Sequence, residues 1–324
     1  MGGAEKQLFL LCRQTRDRVR HRVLAAVSEG RWAVALRQEG IDVECLRTST
    51  RDPRCLVRVA RRIRAIRPTV VHTWLPAMNV LGALAAGSIP VVAAIRNVDD
   101  WKPLAYRWMD CAVARRWSAV ICNSWAGGEF TRRCGIAPGR VHVIPNGIEE
   151  RAAPPRQANA VPTSITTCRL VPHKRVDRIL EIARQLPAYR FLIAGDGPAR
   201  ASLEAAAPPN VHLLGAVADV WPLLWQADFF LLASEREGTS NALLEAMQAG
   251  CVPVVTPVGD NARIVEQGVS GHVTEAAGFP DAISQSLPCW HQLSARAQER
   301  AQRFGVAAMS DHTLEVYDLA HSLP

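Results

Sequence analysis

The chain has 324 residues, 48% of them hydrophobic, which is enough to bury a full core and excludes an intrinsically disordered protein. Its length exceeds that at which a single core stops growing, so two domains are expected. The formal net charge is +8 but unevenly placed: 24 basic against 13 acidic side chains in residues 1–150, and 14 against 17 in residues 151–324.

The nine cysteines are scattered without a C-x-x-C pair, so neither a zinc site nor a disulfide frame is indicated, and a reducing cytosol fits. The basic half carries no helix-turn-helix, zinc or aromatic stacking pattern, which argues against nucleic acid. An anionic membrane surface or a phosphate-linked acceptor matches the charge instead. Only Lys6, Lys102 and Lys174 are lysines among 38 basic residues, so a lysine kept against that bias is informative.

The chain opens MGGAEKQLFLL, without the basic and then apolar stretch of a secretory signal. Gly2 and Gly3 lead straight into a helix. Such a turn normally follows the first strand of a nucleotide-type domain, which lies mid-sheet in the common order. The expectation is therefore an N-terminal domain lacking its first strand, with a start roughly 15 residues late, about one strand plus its lead-in.

Short apolar runs then alternate with helical stretches. HRVLAAV, IDVECL, TVVHTW, PVVAAIR, SAVICNS and VHVIPNG read as strands in the first half. The run RDPRCLVRVARRIRAIRP places Leu56, Val59, Ile63 and Ile66 on one helix face, with Arg54, Arg58, Arg61 and Arg62 away from it. A solvated face is the reading, with anionic lipid contact as its alternative. From Thr69 to Ile95 there is no charged residue, but Pro76, Asn79, Gly87-Ser88 and Pro90 divide the stretch into strand, helix and strand rather than a membrane span.

EERAAPPRQANAVPT, without periodicity, reads as a linker over 151–163 between a domain at 1–150 and one at 164–324. SITTCRL, YRFLIAG, VHLLG, DFFLLAS, VPVVTP and GHVT follow as strands. The fold class is α/β, with two Rossmann-like domains of parallel sheet facing across a cleft. Two helices are expected from about Phe279 to His321, the last, about 305–321, packing back on the first domain.

Glu237 and Glu245 stand eight apart in SEREGTSNALLEAMQAG. On one continuous helix they would lie about 80° apart around the axis and about 12 Å apart along it, too far to act as an acid–base couple. Glu237 instead precedes a helix capped by Ser240 or Asn241, with Glu245 in its first turns. That N-terminus offers free N–H groups to a phosphate or sugar hydroxyl. Simple complementation of the helix dipole explains the pair equally well on its own.

In CRLVPHKRVD, Arg169 ends a strand and Lys174 follows at a helix start. A guanidinium fork with a point ammonium suits a diphosphate whose charge grows as it leaves. His173 beside them reads as a solvent-exposed neighbour. In AGDGP, Gly195 and Gly197 make an incomplete dinucleotide fingerprint and read first as a tight turn. A nicotinamide oxidoreductase, which needs the full fingerprint and an acid further on, is excluded. His72 and Arg96-Asn97 end strands of the first half at the edge where ligands bind.

Together, SEREGTSNALLEAMQAGCVPVVTPVGDNARIVEQGVSGHV, CRLVPHKRVD, FLIAGDGP, VHLLG, VIPNGIE and the GGAEKQL start resemble the family 4 retaining glycosyltransferases of GT-B fold. The resemblance runs over essentially the whole chain and is strongest at 164–275. It implies that Glu237 contacts hydroxyls of the donor sugar and Glu245 the ribose. Arg169 and Lys174 would hold the diphosphate, with Gly238, Thr239, Ser240 and Asn241 presenting backbone N–H groups nearby. Gly195 and Gly215 would lie on the donor side, Gly215 ending VHLLG before the loop by the base. Gly2 and Gly3 would approach the donor from the other domain, and His72, Arg96 and Asn97 would lie on the acceptor side. Many relatives carry histidine where this chain has Arg96.

The implied reaction moves a sugar, with retention, from a UDP- or GDP-linked donor to a hydroxyl of a lipid-linked or glycan acceptor. No metal and no cofactor beyond the nucleotide-sugar co-substrate are expected. The setting would be the cytoplasm, at the inner face of a bacterial inner membrane, in polysaccharide or cell-envelope biosynthesis. The alternative is a catalytically inactive glycosyltransferase-like partner or nucleotide-sugar-binding protein.

Overall fold

A computed structural model describes residues 3–96, 112–152 and 154–322. Two of the expected site residues, Gly2 and Asn97, lie outside them. The chain forms two compact units, Met1–Gly147 with Val306–Pro324, and Ile148–Gly305.

Among the described residues the first unit has six strands: β1 (Arg22–Ala25), β2 (Asp42–Cys45), β3 (Val71–Trp74), β4 (Val91–Ile95), β5 (Ala119–Cys122) and β6 (Val141–Val143). Each lies in one of the apolar runs expected to be a strand. They form two separate parallel sheets, β1–β2 and β3–β4–β5–β6. The sheets share their helical cover. On one face Val43 of β2 joins Val92 and Ile121 in a cluster with Leu10, Leu11 and Val316. On the other, Ala26 and Leu46 meet Cys55, Val59, Ile63 and Ala85.

The basic helix Pro53–Ile66 shows why these residues fold locally as they do. Asp52 caps it by accepting from the Arg54 N–H, Pro53 supplies the fixed φ of the first turn, and Arg67 closes it in the left-handed conformation. Cys55, Val59 and Ile63, spaced by four, bury one stripe. Several arginines of the outer face have local partners: Arg54 pairs with Asp52, Arg62 with Glu44, and Arg58 donates to the Leu46 carbonyl. The uncharged stretch after it is Val71–Trp74, Pro76–Ala85 and Val91–Ile95, and no helix among the described residues is long and apolar enough to cross a membrane.

The second unit holds one six-stranded parallel sheet: β7 (Thr163–Thr167), β8 (Arg190–Ala194), β9 (Val211–Gly215), β10 (Phe229–Leu232), β11 (Val252–Val255) and β12 (His272–Val273). Its order is β12-β11-β10-β7-β8-β9. The chain builds outward from β7 through β8 and β9, then returns to lay β10 on the other side of β7. The order therefore reverses between β7 and β10, and a crevice at the carboxyl ends of those strands is where sheets of this kind bind ligands.

Residues 149–162 contain no helix or strand among those described, as their composition implies, yet they are strapped to the second unit. Asp228, fully buried, accepts from the Asn159 backbone N–H (3.0 Å), the Asn159 amide (2.8 Å) and the Thr163 N–H (2.8 Å). Arg156 donates to the Ala249 carbonyl (2.7 Å) and lies over the Trp290 ring. The C-terminal stretch holds three helices rather than the two expected: Phe279–Ser286, Trp290–Gln302 and Val306–Ser322. Pro288 sits in the 3₁₀ turn Leu287–Cys289 that separates the first two, and Gly305 in the break before the third. The last helix packs in the first unit, where Val306, Met309, Val316 and Ala320 join the core cluster around Leu10.

Candidate functional site

The reversal point brings together the loops after β7 and β10. Lys174 ends the 3₁₀ turn Pro172–Lys174, and Arg175 follows in the left-handed region (φ 48°) as it enters the helix Val176–Gln185. A non-glycine residue there is strained, and the surroundings hold it in place. Arg175 is bound by Asp177 (2.8 Å) and Glu235 (2.5 Å), with Arg178 also near Glu235 (3.6 Å). The Glu235 N–H donates to the His173 carbonyl at 2.9 Å. These contacts fix the first loop to the second.

The result is an ion pair between Lys174 Nζ and Glu237 Oε1 at 2.5 Å, with side chains only 18% and 8% exposed. Arg169 belongs to the same electrostatic neighbourhood: burial, then the charges of Lys174 and Arg236, and more weakly Arg169, hold His173 below its ordinary value. His173 is half-buried rather than solvent-exposed as expected. Arg169 itself is exposed, and its guanidinium has no ion-pair partner among the described residues. Cys168, next to it, is pushed up to about 11 by burial and stays a thiol at neutral pH.

After Glu237, the chain enters the helix Asn241–Gln248. Ser240 is the N-cap, its hydroxyl accepting from the Leu243 N–H (3.4 Å). Glu245 lies in the second turn and is buried, as are Thr239 and Ser240, while Gly238 and Asn241 are half-buried. Two residues that the motifs did not single out hold this loop from beneath. The Thr239 hydroxyl donates to Asp260 at 3.1 Å, and the Asp260 N–H reaches the Gly238 carbonyl at 3.4 Å. Gly259, at φ +57°, lies so close that a Cβ there would fall 2.4 Å from the Glu237 carbonyl oxygen. The signal was present in the sequence as the Gly-Asp pair after β11, but its partner is a loop about 20 residues away.

Gly195 follows β8, and its N–H donates to the carbonyl of Gly215 at the end of β9 (2.8 Å). A Cβ on Gly195 would fall 1.8 Å from the Cys168 carbonyl oxygen. This glycine is required by the close approach of two backbones, which sets the loop carrying Arg169. In the first unit, Gly3 starts the helix Gly3–Gln14. His72 and Arg96 come together there around Trp74, with ring centroids of His72 and Trp74 4.9 Å apart and the Arg96 guanidinium 4.8 Å from the Trp74 ring.

The architecture is that of Anabaena HepE, solved in complex with UDP and glucose: TM-score 0.86 at 21% identity, over 99% of this chain and 96% of that one. It defines the class as GT-B, two Rossmann-like α/β units in one chain. Residues 1–151 match the profile described as Glycosyltransferase Family 4, and residues 161–288 the one described as Glycosyl transferases group 1. The chain belongs to the family 4 glycosyltransferases.

Among individual relatives, a phosphatidylinositol N-acetylglucosaminyltransferase protein of Arabidopsis thaliana is 33% identical over 155 residues, 43% of this chain and 35% of that protein. The Escherichia coli UDP-Gal:alpha-D-GlcNAc-diphosphoundecaprenol alpha-1,3-galactosyltransferase is 24% identical over 259 residues, 69% of this chain and 67% of that enzyme. The match thus spans about a third of the plant relative and two thirds of the bacterial one.

Proposed function

We propose that this chain is a retaining, metal-independent glycosyltransferase. It moves a sugar from a nucleotide-diphosphate sugar to a hydroxyl of a lipid-linked or polysaccharide acceptor. The observation that carries the reading is the Lys174–Glu237 pair at the reversal point of the second sheet, with the exposed Arg169 nearby.

In this reading the second unit binds the donor. The Arg169 fork and the Lys174 ammonium take up the charge that develops on the diphosphate as the glycosidic C–O bond breaks. Glu237, oriented by Lys174, accepts hydrogen bonds from donor-sugar hydroxyls, and Glu245 from the ribose. The helix that Ser240 caps turns its free N–H groups toward the same ligand. The acceptor hydroxyl attacks from the face that the diphosphate leaves, and its proton passes to the departing phosphate. Gly195 and Gly215 shape the donor side of the second unit, and His72 and Arg96 of the first unit serve the acceptor.

The base is uracil or guanine. UDP is favoured by the E. coli relative, which is named for UDP-Gal, and by HepE, solved with UDP and glucose. The E. coli relative's diphosphoundecaprenol acceptor supports a lipid-linked acceptor here, and the basic first unit suits an anionic membrane face. The place of action would be the cytoplasmic side of a bacterial inner membrane.

A thermal-shift screen of UDP-, GDP- and ADP-sugars, followed by assay of nucleoside diphosphate release, tests this. One nucleotide should stabilise the wild type and lose that effect in Lys174→Ala and Arg169→Ala. Stabilisation undiminished in both variants would sink the assignment. Binding without turnover in the presence of any lipid-diphosphate or glycan acceptor would favour the non-catalytic alternative.

A further inference from the structure

The first unit contains a charged group that the donor site does not use. Arg96 follows β4 directly, and Trp74 of β3 pairs in register with Ala94. Two residues beyond Ala94, Arg96 falls on the same sheet face as Trp74 and His72 by the alternation of strand side chains. All three stand at or near the carboxyl ends of parallel strands, the edge where such sheets bind ligands.

The polar atoms of this group are poorly matched. The Arg96 guanidinium has no carboxylate partner among the described residues. Its contacts are one hydrogen bond to Asn146 Oδ1 and the Trp74 ring at 4.8 Å. Arg96 Nε, Trp74 Nε1 and His72 Nε2 are all shut off from solvent with no hydrogen-bond partner among the described residues. His72 Nδ1 meets the Tyr317 hydroxyl at 2.6 Å, and the buried phenol stays protonated. In the tautomer whose Nδ1 accepts from the phenol, Nε2 carries the imidazole proton and is a donor. A half-buried cation without a counter-charge among the described residues, beside the unpartnered Trp74 Nε1 and His72 Nε2, is costly unless an anion completes it. Strain marks the same place: Leu75, the next residue after Trp74, sits at φ 74° and ψ 149°, where a leucine is rare.

We propose that Arg96, with Trp74 and His72, binds an oxyanion carried by the acceptor, so that the acceptor is acidic at the point where the first unit grips it. This rests on the assignment of that unit to the acceptor. The guanidinium supplies a planar fork matched to paired oxygens, which a histidine at this position would not. The oxyanion is either a phosphate, as in a phosphate-linked acceptor, or the carboxylate of an acidic sugar.

Calorimetric titration of the full chain with glucose 1-phosphate, galacturonate and neutral glucose tests this, with UDP saturating the donor site. One of the acids should bind at least ten-fold more tightly than glucose, and which one distinguishes phosphate from carboxylate. Arg96→Met should erase that preference, whereas Lys174→Met should keep it. A separate titration with UDP alone separates the two readings: failure to bind UDP counts against the donor site and leaves the acid preference readable. The proposal is overturned if neither acid is preferred over glucose, if Arg96→Met retains the preference, or if Lys174→Met abolishes it. Should Arg96→Met fail to fold, Arg96→Lys keeps the charge but loses the fork. Its preference should fall several-fold, and an unchanged preference overturns the proposal equally.

Discussion

Lys174 and Glu237, 63 residues apart in the chain, meet at 2.5 Å because the strands that precede them, β7 and β10, are neighbours in the sheet. Each charge is largely withdrawn from water, so each depends on the other. Lys174→Ala should therefore do two things at once. Turnover should fall about 10²–10³-fold through loss of leaving-group stabilisation. Stability should fall by roughly 1–3 kcal/mol because Glu237 is left unpaired. In a double-mutant cycle with Glu237→Gln, the stability loss should be strongly non-additive. Additive losses in denaturant melts would show that the pair is not coupled.

Arg169 offers the opposite contrast. It is exposed and holds no carboxylate among the described residues, so folding has little stake in it. Arg169→Ala should leave the melting temperature within about a degree of wild type, as expected for a surface change. Affinity for a nucleoside diphosphate should fall at least ten-fold, with a smaller effect on the nucleoside monophosphate. Equal affinities for the diphosphate in variant and wild type would remove Arg169 from the clamp.

Gly259 carries no functional group, yet the geometry assigns it a part in the site. A methyl there would meet the Glu237 carbonyl oxygen at 2.4 Å and impose a positive φ on alanine. Gly259→Ala should cost on the order of 1–3 kcal/mol and displace the 237–240 loop. Donor-sugar affinity should fall further than affinity for the free nucleotide, because Glu237 is the group displaced. A variant with wild-type melting temperature and binding would show that the loop yields freely.

Asp228 tests whether residues 149–162 are a strap or a free linker. Its carboxylate takes three N–H groups, two of them from Asn159. Asp228→Ala leaves the buried Thr163 N–H without its acceptor and releases the exposed Asn159, and should destabilise the second unit by about 1–3 kcal/mol. Hydrogen exchange should accelerate at Asn159 and Thr163 ahead of the rest of the sheet. Protection unchanged at those two amides would count against the anchor.

Acid should weaken the protein through His72. Burial first, then the charge of Arg96, lower its folded value from 6.5 to about 3. A depressed histidine is neutral when folded, so its contribution is fully present above pH 6.5 and is lost as pH falls from 6.5 toward 3. The loss is about 1.4 kcal/mol per pH unit in that window. His21, His142, His173 and His272 are lowered too and add to the slope. The informative quantity is thus the difference between wild type and His72→Gln, whose stability should decline less between pH 6.5 and 4.5. Parallel curves for the two proteins would contradict a buried neutral His72.

The alternation of strands and helices was legible throughout, because strands buried on both faces read as continuous apolar runs bounded by turn residues. VVAAI and FFLL became β4 and β10, buried over nearly their whole length. The C-terminal helices were harder. Their periodicity continues across the break at Pro288, so one expected helix proved to be two. The candidate site was legible as residue types: a rare lysine, an arginine at a strand end and a glutamate before a capped helix. Which of them touch was not, since spacing along the chain carries no information about neighbours across a sheet.

By itself, then, the sequence determined the elements, the parallel α/β class and the residue types of the candidate site, since periodicity, capping and residue chemistry are local properties. Tertiary structure alone decided the rest. The reversal of strand order between β7 and β10 joins Lys174 to Glu237. The close approach of backbones leaves no room for a Cβ at Gly195 or Gly259. The folding of Val306–Ser322 into the first unit brings Tyr317 to His72, and strand register sets Arg96 over Trp74 without a counter-charge among the described residues. Each of these depends on contacts between segments far apart in the chain, which no local pattern encodes.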